Sequence, residues 1–202
     1  MMSDQGLDLT LIRQGRCKNL AQAQLAGVDL SAAQLADADL SQANLQGANL
    51  GGADLQRAIL RGNLRGADFL GANLTGADCR NADLRAAIFL NAQVAQISLA
   101  GAFLAGSLLS HLDLTAADLR GADLRGAILE GTILNRADCR GANFAGADLS
   151  QADLEEADLE GAIFRGANLS RANLLCAQVE QAVWEGSCLQ GACLEGTLLS
   201  RA

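Results

Sequence analysis

The sequence predicts an all-β architecture of short strands separated by corners, on three observations. A five-residue beat runs through nearly all of the 202 residues, aromatic side chains make up only 3% of the chain, and proline is absent. A chain so poor in aromatic anchors cannot fill an ordinary globular core, whereas a repeat can stack one small layer on the next. Neither standard period accommodates the beat. Five residues turn about 140° around an α-helix, which draws no continuous apolar stripe. Five is also odd, so a long strand would alternate faces at each repeat. A short strand that ends in a corner resolves both problems.

At the N-terminus, residues 4 to 17 do not follow the beat. Leu7, Leu9, Leu11 and Ile12, with Arg13 and Arg16 behind them, predict a short helix capping the first coil, so residues 1–17 read as a cap segment and 18–202 as the repeat domain. No signal or transit peptide is legible in MMSDQGLDLTLIRQGRCKNL, and no later stretch reaches the length of a membrane span. The expectation is a cytoplasmic protein that does not touch a membrane.

From Leu20 to Leu60 a leucine stands at every fifth position, and after a one-residue deletion the beat resumes from Leu64 to Leu199. Of the 37 central residues 28 are Leu, the others being Phe (69, 89, 144, 164), Cys (79, 139), Val (94, 179) and Trp184. Two residues before the centre stands Ala in 28 pentads, and two residues after it Gly is the commonest choice. In Ala122-Asp123-Leu124-Arg125-Gly126, Ala and Leu then point inward, Asp points out, and Arg-Gly turns the corner. The deletion falls at Leu60-Arg61-Gly62-Asn63-Leu64, where Gly62 must serve as both corner and inner residue, bending the rod or tightening one corner.

These pentads resemble the pentapeptide repeat family, whose pattern is A-(D/N)-L-x-x, over roughly residues 18 to 201. The resemblance implies a right-handed quadrilateral β-helix with four pentads to a coil. The sequence carries its own check, because Phe144, Phe164 and Trp184 fall twenty residues apart, as do Phe69 and Phe89, and a 20-residue coil would stack them inside. Four pentads per coil make about nine coils and, at ~4.8 Å per coil, a rod roughly 43 Å long.

Composition restricts the chemistry. The net charge of −8, with fourteen of fifteen basic residues Arg, argues against direct binding of nucleic acid or anionic lipid. One His, one Lys and no Tyr leave little from which to assemble a catalytic centre, and a convex rod lacks a pocket, so no enzyme, cofactor or metal is expected. The six cysteines show no C-x-x-C pair and read as free, mostly structural thiols, with Cys79 and Cys139 inward. His111 falls at a corner and reads as solvated.

Lettering the side of Leu20 as A and continuing B, C, D and A again sorts the charge, provided the deletion leaves the count intact. Sides C and D carry eleven acids against Arg57, Arg136 and Arg171, whereas sides A and B carry ten acids and nine Arg. The run Asp148, Asp153, Glu155, Glu156 is the candidate acidic surface, its spacing unlike a calcium loop. No charged residue occurs between Arg85 and Asp113, and Ile88, Leu108 and Ile128 recur every twenty residues on side C. With Leu90 and Phe103 they form the candidate partner surface. The last pentads stay apolar, which marks Leu198 and Leu199 as the candidate end of an end-to-end homodimer through the C-terminal coil.

Two functions remain. The first is a non-enzymatic scaffold for an unidentified protein partner, in the style of the cyanobacterial members of the family, some of which act in developmental regulation. The second is a DNA mimic that occupies type II topoisomerase, as quinolone-resistance members do. A duplex as long as the rod would carry about 25 charges at one per ~1.7 Å. The −8 on the acidic half falls well short of that.

Overall fold

The structure is a computed structural model describing residues 8–201, with side chains described for 8–199. Its repeating unit follows from the hydrogen-bonding needs of one pentad. In nearly every pentad the residue before the centre forms a parallel bridge with its counterpart one coil on, normally twenty residues later, as in Asn19↔Asp39 and Asp118↔Asp138. Between bridges the chain turns: the N–H of the next inner Ala donates to the carbonyl of the preceding centre, as Ala23 does to Leu20 at 3.1 Å. The second residue of the turn has positive φ, the type II pattern that favours Gly, yet seventeen corners hold a non-glycine residue with φ between 54 and 61°. Four bridge-and-turn units complete a coil of twenty residues.

Inner Ala and central residues are buried almost without exception from Leu20 to Val179. A methyl at the inner position leaves room for the large residue at the centre, so the core is one narrow column. The aromatic ladders stand inside it. Phe69 and Phe89 stack at 5.0 Å, Phe144 and Phe164 at 5.0 Å, and Phe164 and Trp184 at 4.4 Å within 5° of parallel.

The outward Asp or Asn has a local task. The first N–H of each turn lies outside the inter-coil ladder, and the Asp or Asn two residues earlier accepts it: Leu70 N–H donates to Asp68 Oδ1 at 2.8 Å and Ser150 N–H to Asp148 at 3.0 Å. Outward amides also bond along the rod axis, as Asn49 to Asp29 at 3.1 Å.

The deletion preserves the coil. Asn44 bridges Asn63, nineteen residues on, and Asn63 bridges Asp83 at the usual interval, so all four sides stay in register. The corner tightens: Gly62 N–H donates to Leu60 O at 2.9 Å, a three-residue turn in place of four. A Cβ on Gly62 would lie 2.4 Å from Ala43 O, so only glycine fits this corner. The bend considered as the alternative is unnecessary.

At the N-terminal end α1 (Leu9–Arg13) is capped by Asp8, whose carboxylate accepts Thr10 N–H at 2.8 Å. It is shorter than the sequence suggests. Ile12 is fully buried on the first coil, whereas Leu11 is 39% exposed, and Leu7 lies outside the described residues. The segment satisfies the first strand edge directly: Gln34 N–H donates to Arg13 O at 2.9 Å, and Lys18 Nζ donates to Gln34 O at 3.0 Å and Ala36 O at 2.6 Å. At the other end Leu198–Arg201 form a 3-10 turn where the pentad pattern predicts another strand, local bonds replacing a pairing of Leu198 with Gln178.

Candidate functional site: the lateral surfaces

On sides A and B most of the acids are paired with an arginine. All five Asp-x-Arg tripeptides lie there, and in each the guanidinium folds back onto the carboxylate two residues earlier. On side A the pairs join into a column: Arg120 contacts Asp118 at 2.8 Å and Asp138 at 3.5 Å, and Arg140 contacts Asp138 at 2.6 Å and Asp158 at 3.4 Å. These hydrogen bonds hold Asp83, Asp118, Asp123 and Asp138 below the usual carboxylate range.

Side C is different. Bridges Ile88↔Leu108 and Leu108↔Ile128 make the aliphatic stripe continuous. Leu70 and Leu90 stand beside it at stacked turn positions, and Ile133 extends it around the corner onto side D. Leu70 is 48% exposed and Ile128 and Ile133 are 39% exposed. Sequence reasoning missed Leu70 and Ile133, although twenty residues separate Leu70 from Leu90 and five separate Ile128 from Ile133. Phe103, 49% exposed, falls on neighbouring side B, bridged to Asp83 and Asp123.

The stripe forgoes the local capping described above. Ile88, Leu108 and Ile128 cannot accept a turn N–H, and those of Leu90, Ser110 and Glu130 donate to no protein group among the described residues. Around it stand Asp68, Asp113, Glu130, Asp148 and Asp153, none ion-paired among the described residues. The candidate acidic run therefore divides. Asp148, Asp153 and Glu155 remain uncompensated, while Glu156 is held by Arg136 at 2.6 Å and its carboxyl drops below its ordinary range.

Cys79 and Cys139 are fully buried, and burial pushes their thiols far up. Cys176, Cys188 and Cys193 are exposed, so the expectation of mostly structural thiols holds for the inner positions only. His111 is exposed at a corner with φ 59°. Among the described residues no group of His, Cys, Asp and Glu could hold a metal ion, and no helix is long and apolar enough to cross a membrane. At the C-terminal end Leu198 is 55% exposed, while Leu199 packs with Trp184, Leu189 and Leu194 as a partly buried layer.

A solenoid of bridged pentads defines the class of protein. The family model for pentapeptide repeats matches residues 23–62, 63–91, 87–131, 127–161 and 162–201, and the chain belongs to that family. It is similar to HetL, a pentapeptide repeat protein involved in heterocyst differentiation regulation from the cyanobacterium Nostoc sp. strain PCC 7120. The identity is 34% over 89% of this chain and 86% of that one, with a TM-score of 0.37. It is also similar to QnrB1, a plasmid-mediated fluoroquinolone resistance protein, at 20% identity over 87% and 86% of the two chains, with a TM-score of 0.55. That likeness supports the right-handed β-helix solenoid. A pentapeptide repeat protein of the Arabidopsis thaliana thylakoid lumen matches at 31% identity over 46% of this chain and 61% of that one, with a TM-score of 0.38. No curated protein matches the chain.

Proposed function

We propose that the protein is a non-enzymatic scaffold of the cytoplasm whose side C docks a protein partner carrying an apolar centre and a rim of Lys or Arg. The observation that carries this reading is the contrast between sides: arginines pair most of the acids on sides A and B, whereas side C presents aliphatic residues framed by unpaired carboxylates. An interface of apolar core and charged rim is the ordinary anatomy of recognition. The forgone turn caps point the same way, because Asn at these positions would serve the fold better than Ile or Leu.

Ile88→Asn, Leu108→Asn and Ile128→Asn together restore the family pattern without stacking charge between Asp68 and Asp148, so the variant should unfold no earlier than the parent. It should lose the partner that the parent captures from its native cell extract, while an Asp123→Asn control on side B keeps it. Equal capture by the triple variant would overturn the assignment.

The likeness to QnrB1 raises the second reading, a DNA-mimic acting on type II topoisomerase. Clamped acids on two sides and the modest −8 weigh against it, and a gyrase supercoiling assay decides it: no inhibition or protection is the expected result. The half-exposed layer of Trp184, Leu189 and Leu194 supports an additional contact, end-to-end pairing of two copies through residues 184–202.

A further inference from the structure

Among the described residues the inter-coil ladder runs unbroken from the first coil to the 3-10 turn at Leu198, except at one interior place. Along side D and its two corners, between residues 91–96 and 110–115, four consecutive bonds of the repeating pattern are missing. Asn91, Val94 and Gln96 should donate upward to Ser110, Asp113 and Thr115, while Asp113 should donate downward to Ala92; none does, and pairing resumes at the Ser98↔Asp118 bridge. The bridge Gln93↔Asp113 is absent as well, although Asn73↔Gln93 and Asp113↔Ile133 flank it. An open hollow of about 510 Å³ occupies the gap, lined by Gln93, Val94, His111, Leu112 and Asp113.

The sequence supplies the cause. Leu112 stands in the inner slot that holds Ala92 one coil earlier, and the neighbouring inner slot holds Ile97. Leu112 is 3% exposed, so its side chain is driven into a column sized for a methyl. A close-packed column resists an oversized residue by separating the layers around it. Opposite, on side B, the ladder is intact: Leu84 N–H donates to Phe103 O and Leu104 N–H to Asp123 O, both at 2.7 Å.

We infer that this boundary is a hinge, wedged open by Leu112 on side D and held shut on side B, at which the rod bends. The bridges flanking the gap keep the usual twenty-residue register, so the seam can open and close without a shift of either half along the chain. The stripe Ile88, Leu108, Ile128 crosses the boundary on side C, where a partner gripping it would set the angle between the halves.

Residue-resolved amide exchange by NMR on the full chain tests the seam. Asn91, Val94, Gln96 and Asp113 should exchange at least about tenfold faster than Gly71, Leu74, Gly76 and Gln93, their bonded equivalents one coil earlier. Equal protection of the two sets would overturn the proposal. Leu112→Ala should restore protection to the four amides. Because that variant also removes a core side chain, Ala152→Leu provides the converse, and should create a new fast set at Gly131, Leu134, Arg136 and Asp153. Unchanged exchange in both variants would refute the wedge. Residual dipolar couplings test the motion: residues 20–90 and 119–175 should align with tensors of different magnitude, and a single tensor fitting both as well as either alone would rule out a hinge.

Discussion

Phe164 has an aromatic neighbour on each face, Phe144 below and Trp184 above, and is fully buried. Removing its ring leaves a cavity that a narrow column bounded by bonded coils cannot collapse into. Phe164→Ala is therefore expected to cost about 3 to 5 kcal/mol in chemical denaturation. Thiol chemistry divides along the same line of burial. Cys79 and Cys139 should alkylate only after unfolding, whereas Cys176, Cys188 and Cys193 should react in the native protein. Among these Cys188 should lead as pH falls, because the Ser170 hydroxyl and the Gln190 N–H favour its thiolate. Mass spectrometry after timed native labelling reads both expectations. The ladder was legible in the sequence because a 20-residue spacing of rings is visible without coordinates. The outward direction of Cys188 and Cys193 was legible too, since each stands immediately before a central leucine.

The Asp-Arg clamp is the element that distinguishes one pair of sides from the other. Its carboxylates have folded pKa values below their ordinary range, so their contribution to stability is present above the unfolded value of about 3.9 and is lost as pH falls through the lower, folded values. Thermal melts should accordingly hold level from pH 7 to about 5 and decline below about 4. Arg85→Gln, Arg120→Gln, Arg125→Gln and Arg140→Gln together should flatten that decline. Each pair alone should matter little, below about 1 kcal/mol, because these guanidiniums are half exposed. The tripeptide was visible as neighbouring opposite charges, but its closure was not. The turn conformation two residues on aims the arginine back at the aspartate, and turn conformation is a property of the coil.

At the scale of the molecule the rod is two-faced along its length and apolar at its last described coil. Trp184, Leu189, Leu194 and Leu199 form a partly exposed layer there, with Leu198 projecting beside it. Pairing two such layers around a two-fold axis would bury both with one self-complementary surface. Sedimentation equilibrium of the full chain at micromolar concentration should return twice the chain mass, and Leu198→Glu with Leu199→Glu should return one. A single-chain mass for the parent at every concentration would remove the end-to-end contact. A dimer that persists in the double variant would move the contact to the side C stripe.

The sequence by itself determined the period, the inward and outward assignment of nearly every residue, and through them the family. Each of these is local: a small inner Ala beside a large Leu, an outward Asp or Asn capping its own turn, and a corner tolerant of positive φ recur in every pentad. Only the tertiary structure decided that the coil keeps four sides through the deletion, since Gly62 shows its fit only against Ala43 of the coil before. It also decided that the ladder parts beside Leu112, although the replacement of Ala by Leu was in plain view. The reason is common to both: contacts between coils join residues about twenty apart, and their strength depends on what the neighbouring layer places at the same point, which no single pentad contains.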